Sequence, residues 1–251
     1  MIVRHALTVL IAGGIALGMA TGAEGSGPPF ELAVKKDHLF GSSRGTLVFA
    51  ADGAEYRTPD KDDARRWAYE DIKQVQVLSP TRVAILTYED RGRLKFGADR
   101  TFEFEIVQGD VAPDLVAFLL DRIPRPVVTS VLPPAPAAPT PGFRVPLKYQ
   151  RARRGSEGAL VLYDDRLVYL TERASDARYW RLADLYSVLR VDRSRLEIVA
   201  YEGGSGNTRR FMFELKADLP QSSYEALWVR VNPPTYELRR EEAARVAEPP
   251  R

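Results

Sequence analysis

The sequence predicts a mainly β chain with two helices (α+β), built from two copies of one unit in which seven short strands are followed by a closing helix. Three observations carry this: the two halves of the chain repeat each other, apolar residues within each half alternate with period two, and the period lengthens to that of a helix at the end of each half. With 251 residues and 45% apolar content, there is material for two cores of about 100 residues each.

The repeat sets the frame for every element. At an offset of 113 residues, Asp63-Ala64-Arg65-Arg66-Trp67 meets Asp176-Ala177-Arg178-Tyr179-Trp180, and Asp71 meets Asp184. In the same register Ser43, Gly45, Leu47, Val48, Asp52, Tyr56 and Thr58 meet Ser156, Gly158, Leu160, Val161, Asp165, Tyr169 and Thr171, and Tyr88-Glu89 meets Tyr201-Glu202. The offset then drops to 109, where Arg100-Thr101-Phe102-Glu103-Phe104-Glu105 meets Arg209-Arg210-Phe211-Met212-Phe213-Glu214. A four-residue change between Glu89 and Arg100 fits a hairpin loop, since loops absorb insertions that strands do not.

Taken in order, the first copy offers strands over residues 31–36, 46–50, 54–58, 66–69, 72–78, 82–88 and 101–106. The last of these sets Phe102, Phe104 and Ile106 on one face and Thr101, Glu103 and Glu105 on the other, and Phe211, Phe213 and Leu215 repeat the pattern in the second copy. Helices follow: Leu115, Phe118, Leu119 and Ile123 share one face, as do Tyr224, Leu227, Trp228 and Val231, and Ser222 with Glu225 spells a capping box for the second helix. Between the copies, residues 124–141 hold seven prolines and almost no charge, the composition of a semi-rigid linker that would separate two independent units. The predicted organisation is therefore a leader at 1–23, a first domain at 24–124, a linker at 125–141, a second domain at 142–232 and a charged tail at 233–251, at most a short frayed helix.

The leader has the layout of a secretory signal peptide: Arg4 and His5, an uncharged stretch from Ala6 to Met19, then small residues through Ala23. About 14 apolar residues fall short of the roughly 20 that a spanning helix needs, so cleavage near Ala23 and export are expected rather than membrane anchoring. There is no cysteine, so the fold must stand without disulfides, and after cleavage His38 is the single histidine.

Trp67-Ala68-Tyr69-Glu70-Asp71-Ile72 and Trp180-Arg181-Leu182-Ala183-Asp184-Leu185 carry a family likeness. They resemble the step "aromatic, polar, apolar, any, Asp, Ile or Leu" between the fourth and fifth strands of bacterial pleckstrin-homology-like and GRAM-type domains, with Ala68 departing at the polar position. The resemblance implies, for each copy, a pleckstrin-homology-like domain: a bent seven-stranded sheet or barrel closed by a C-terminal helix. A lipocalin-like barrel is the alternative, although each copy is short for an eight-stranded cup.

Chemistry is sparse. Nucleophilic catalysis needs an imidazole beside the nucleophile, and His38 reads as a solvated loop residue, so no catalytic residue, cofactor or metal is assigned and the chain is read as a non-enzyme. The run Asp60-Lys61-Asp62-Asp63 lacks the glycine and terminal glutamate of a calcium loop and reads as a solvated turn. Gly203-Gly204-Ser205-Gly206-Asn207 lacks the Lys-Ser/Thr of a phosphate loop and reads as a hairpin tip. Trp67 and Trp180 read as buried anchors, and the repeated Arg65 and Arg178 with Asp71 and Asp184 as an ion pair or turn contact at a strand junction.

Charge separates the copies. Residues 24–124 hold 14 Lys and Arg against 18 Asp and Glu, whereas residues 142–232 hold 16 against 12. This argues against nucleic acid, which calls for one extended basic face, and permits the acidic first copy to contact the basic second. The resemblance points to one candidate site. In phosphoinositide-binding pleckstrin-homology domains the first loop carries a Lys, a spacer, then a basic residue, any residue and Arg; Lys148, Arg151 and Arg153 match, and Arg154 extends the run. The expected function is a non-enzymatic binding or scaffolding protein of the bacterial envelope or exterior, with a protein, peptide or anionic-surface partner. Anionic ligand or headgroup binding through the basic loop of the second copy is the alternative.

Overall fold

A computed structural model describes residues 29–38, 41–90, 99–134, 142–152, 154–203 and 207–232. The leader and the tail lie outside the described residues, as do parts of the length change after Glu89 and of the Gly203–Asn207 tip.

In the first copy the strands are β1 (Phe30–Asp37), β2 (Ser42–Ala50), β3 (Gly53–Arg57), β4 (Arg65–Ala68), β5 (Ile72–Ser79), β6 (Arg82–Asp90) and β7 (Asp99–Ile106), followed by helix α1 (Pro113–Arg122). After β8 (Val127–Thr129) come β9 (Phe143–Gln150), β10 (Ser156–Leu162), β11 (Arg166–Thr171), β12 (Arg178–Arg181), β13 (Leu185–Arg190), β14 (Arg195–Ala200), β15 (Arg209–Leu215) and helix α2 (Gln221–Val231). In each copy the first four strands and the last three form antiparallel meanders, joined through the pairing of the first strand with the last, Val34 beside Ile106 in one copy and Leu147 beside Leu215 in the other, while the fourth and fifth strands do not pair. Period-two alternation is what makes this work: Phe102, Phe104 and Ile106 face the core while Glu103 and Glu105 face water. Gly45 and Gly158 recur because a Cβ at either place would collide with the carbonyl of Arg57 or Leu170 and with the ring of Tyr56 or Tyr169.

The expectation of two separate seven-stranded units does not hold. One mixed sheet of 15 strands runs through the molecule in the order β13-β14-β15-β9-β10-β11-β12-β8-β5-β6-β7-β1-β2-β3-β4. The joint is β8, inside the segment that the prolines mark as a linker. It pairs parallel with β5, Val75 beside Val127 and Val77 beside Thr129, and antiparallel with β12 through Thr129 and Tyr179. Three consecutive β-branched residues favour a strand despite the prolines around them, and all three are buried, each valine contributing about 1.5–3 kcal/mol.

Below this sheet lie two hydrophobic clusters, one per copy: the first gathers Leu47, Tyr56, Trp67 and Phe102 with Leu115 and Leu119 of α1, the second Leu160, Tyr169, Trp180 and Phe211 with Leu227 of α2. Two expectations about α2 also fail. Trp228 is exposed rather than on the buried face. The capping box does not form, because the helix starts two residues earlier: Pro220 is the N-cap, the amides of Ser223 and Tyr224 donate to its carbonyl, and Glu225 accepts from Gln221 Nε2 instead of reaching back to Ser222.

Candidate functional site

Of the four residues of the basic loop, Lys148, Arg151 and Arg154 lie among the described residues. Lys148 is exposed on β9, between Glu157 of β10 and Glu214 of β15. Arg151, just past β9, donates from Nη1 to Asp176 Oδ1 at 2.6 Å, and Asp176 is itself buried. Arg173 approaches the other oxygen of Asp176 at 3.7 Å and donates to the carbonyl of Arg154 at 3.1 Å. Arg153 lies outside the described residues. Arg151 is thus paired with an internal carboxylate, which ties the loop to the turn before β12.

The same place in the first copy holds a polar cluster, which His38, exposed in the loop after β1 as expected, joins from its solvent side. His38 corresponds to Arg151, and its Nε2 lies 2.6 Å from Asp63 Oδ2 and 3.3 Å from Ser43 Oγ. Lys36 Nζ donates to Asp63 Oδ1 at 2.5 Å and Ser43 Oγ donates to Asp63 Oδ2 at 2.5 Å. With the Ser43 proton spent on Asp63, the Tyr56 hydroxyl donates to Ser43 Oγ at 3.0 Å. Within the acidic turn, Asp60 and Asp62 are exposed while Asp63 points inward. Burial pushes the Asp63 carboxyl up, but the hydrogen bonds from Lys36 and Ser43 and the charges of Lys36 and His38 outweigh it and hold it below the usual range. Serine, histidine and aspartate meet here without forming a nucleophilic relay. A relay needs the two ring nitrogens to serve different partners; in this cluster one nitrogen faces both, and the serine is buried and bonded directly to the carboxylate.

Sequence reasoning missed the partners of the tryptophans. Both indoles are buried, and Trp67 Nε1 donates to Glu89 Oε1 at 3.0 Å while Trp180 Nε1 donates to Glu202 Oε1 at 2.6 Å. The signal was present in the repeated Tyr-Glu pair at 88–89 and 201–202. The repeated arginines make the turn contact but not the ion pair with Asp71 and Asp184: Arg65 Nη1 donates to the carbonyls of Asp62 and Ala64, and Arg178 Nη1 to those of Ser175 and Ala177. Arg178 pairs with Glu202 at 3.2 Å, and Asp71 is exposed because its own copy has no Arg181.

Arg181 stands where the first copy has Ala68, and it closes the seam between the copies. Its guanidinium donates to the carbonyls of Leu120 (3.0 Å), Ile123 (2.7 Å) and Arg125 (2.6 Å), the orphan acceptors at and beyond the end of α1. Asp184 orients it through two hydrogen bonds, at 2.8 and 3.1 Å, and also accepts from the Val127 amide of β8. Burial pushes the Asp184 carboxyl above its usual range in spite of these bonds. Gln74 of β5 adds a bond from Nε2 to the Tyr201 carbonyl at 2.7 Å.

The sheet's two ends differ in chemistry. β4 ends it with Arg66 paired to Asp52, a charged and therefore protected edge. At the other end β13 presents Tyr186 at 60% exposure and Leu189 at 51%, with Val191 at 40% just beyond. Its counterpart in the first copy is β5, whose edge is covered by β8. Where the covered edge carries Gln76, the uncovered one carries Leu189. Among the described residues, what reaches the outer edge of β13 is the Tyr224 hydroxyl, 3.5 Å from the Val188 carbonyl and the Arg190 amide, the outer limit of a hydrogen bond.

These features define a β-sheet protein with buried polar clusters in which, among the described residues, the edge of β13 is unpaired and carries Tyr186 and Leu189 beside Arg190. No protein-family model matches the chain, and no curated protein does. Among solved structures, one match is titled "Structure of the Spt16D Pob3N heterodimer", at 10% identity, covering 72% of this chain and 90% of that one with a TM-score of 0.25. A likeness of that size carries no conclusion about function. Among the described residues, no helix is long and apolar enough to cross a membrane.

Proposed function

We propose that this chain is a non-enzymatic binding or scaffolding protein that engages its partner by strand addition at β13. The observation that carries the reading is the apolar, weakly satisfied edge of that strand. Exposed edges attract pairing, and Tyr186, Leu189 and Val191 lack the charges that usually blunt one. Main-chain hydrogen bonds would supply the affinity, and the outward side chains of Tyr186 and Leu189 the selectivity. The pleckstrin-homology-like and GRAM-type likeness belongs to this proposal and rests on the two Trp-to-Leu/Ile steps and on the order of strands before each helix. Export to the bacterial envelope or exterior is equally a proposal, supported by the residues of the leader; N-terminal sequencing of the expressed protein is expected to begin at Glu24.

The test compares the chain from Glu24 onward with its Leu189→Lys variant as baits for envelope proteins. We expect a protein retained by the first and lost by the second, at equal melting temperature, because a lysine on an edge opposes strand addition while leaving the core untouched. Equal retention by both baits, or none by either, would count against the reading.

A further inference from the structure

The two copies differ in chemistry on the outer face of one strand pair. In β11 and β12, Val168, Leu170 and Tyr179 stand where the offset of 113 puts Glu55, Arg57 and Arg66 in the first copy. There the charged residues form surface pairs, Arg57 with Glu31 and Glu55, and Arg66 with Asp52. In the second copy the face is apolar where Ala117 and Leu120 of α1 approach it. Packing between the copies buries Val168, but its cross-strand neighbour Tyr179 stays half-buried, as do Leu132, Tyr163 and Leu170. These side chains surround a cavity of about 250 Å³, a volume that two closely fitted faces would not leave. Arg166 stands at this cavity and has no counterpart, since the first copy has Gly53 there, where a Cβ would collide with the Trp67 carbonyl. Its guanidinium lies 4.5 Å from the centre of the Tyr163 ring and 5.9 Å from that of Tyr179, and its side chain is 12% exposed. Nη1 donates to Asp165 Oδ1 at 2.8 Å, but Asp165 is 69% exposed, and a surface pair of that kind contributes little. Beyond this bond and a contact with the Tyr179 hydroxyl, the guanidinium has no hydrogen-bond partner among the described residues. Burial pushes the Tyr179 hydroxyl above its usual range, with Arg166 opposing, so at neutral pH it keeps a proton to donate.

We propose that the cavity between α1 and the β11–β12 face binds a small monocarboxylate with an apolar body, its carboxylate on Arg166 and Tyr179 and its body against Leu120, Val168 and Leu170. This site is separate from the β13 edge and does not rest on the reading of that edge. Charge and size select the ligand. A guanidinium fork holds a carboxylate through two parallel hydrogen bonds, and in a largely apolar surround that attraction is stronger than in water. The exposed Asp165 offers weak competition for the same nitrogens. A neutral guest would leave the guanidinium without a counter-charge, and a cationic one would be repelled by it. The volume sets the body: a cavity of about 150 Å³ accepts benzene and drug-sized ligands occupy about 300–1,000 Å³, so a single ring or a short alkyl chain fits here. Pockets of this kind, apolar with a few convergent polar groups, are the usual form of a small-molecule site. One wall comes from each copy, so a bound molecule would also brace the seam that Arg181 closes.

Calorimetric titration of the full chain with octanoate tests this, with 1-octanol as the uncharged control. We expect octanoate to bind with a Kd below about 1 mM, as a ligand of about ten non-hydrogen atoms allows. Arg166→Met keeps an apolar stem and removes the fork, so octanoate should bind about tenfold or more weakly to it, while the affinity for octanol stays the same. Ala117→Phe fills the cavity from the other copy and should abolish binding of both molecules. Amide chemical shifts of the unaltered chain locate the ligand without any substitution: those of Leu120, Val168 and Tyr179 should move on adding octanoate, and those of β13 should not. The absence of saturable octanoate binding, shifts confined to other parts of the chain, or equal octanoate affinity in Arg166→Met overturns the proposal.

Discussion

Asp63 and Asp184 are both buried aspartates, and they contribute to stability with opposite signs. Asp63 is held below its usual range when folded, so its contribution is fully present above the unfolded aspartate pKa and is lost as pH falls through the lower folded value. Asp184 is pushed up by burial, so its ionised form weighs against the folded state as pH rises through and beyond the usual aspartate range. Urea midpoints measured from about pH 2 to about pH 7 should therefore show a shallower acid limb in Asp63→Asn than in the unaltered chain, together with a lower midpoint at neutral pH where Lys36 loses its partner. An unchanged acid limb would mean that the cluster does not bear on folding. The sequence made the indoles legible as anchors because a large aromatic repeated at one place in two copies is a packing signal. It hid the role of His38, because the contact spans 25 positions and the second copy solves the same problem with Arg151. What the repeat keeps at this place is a nitrogen-bearing side chain against a buried aspartate, and residue identity alone does not display that.

Among elements, the strands were legible because alternation writes their faces into the chain, as in β7 and β15. β8 was not, because proline density signals a linker more loudly than three β-branched residues signal a strand, and because a parallel pairing across 52 positions leaves no local trace. The position that could have betrayed the seam is 181. An arginine replaces Ala68 there, and a change at one position of an otherwise matched motif marks a contact that only one copy makes. Removing that contact should be costly. Arg181→Ala would leave three carbonyls and the buried Asp184 without their donor, and we expect a loss of about 3–5 kcal/mol in denaturant unfolding, the range for breaking one side of a buried pair. Ala68→Arg in the other copy should have no comparable effect, since Asp71 beside it is exposed where Asp184 is buried.

For the molecule as a whole, the continuous sheet turns two clusters into one mechanical object. Each cluster is closed by its own first-to-last strand pairing and its own helix, so each has the contacts of a core. Yet the end of α1 is capped by Arg181 of the other copy, and the open edges of β5 and β12 are both covered by β8. Unfolding either half would therefore leave the other with an exposed strand edge and unpaired carbonyls, which couples the two equilibria. Calorimetry of the unaltered chain should show a single transition. Val128→Pro should uncouple it, because proline in the middle of β8 removes a backbone donor and cannot be accommodated between two paired strands, while neither hydrophobic cluster loses a side chain. We expect two resolved transitions in that variant, both below the original melting temperature. Val128→Ala, which shortens the side chain but keeps the donor, should lower the single transition without splitting it. Two transitions in the unaltered chain, or one unshifted transition in Val128→Pro, would show that the sheet is continuous in geometry without being cooperative in folding.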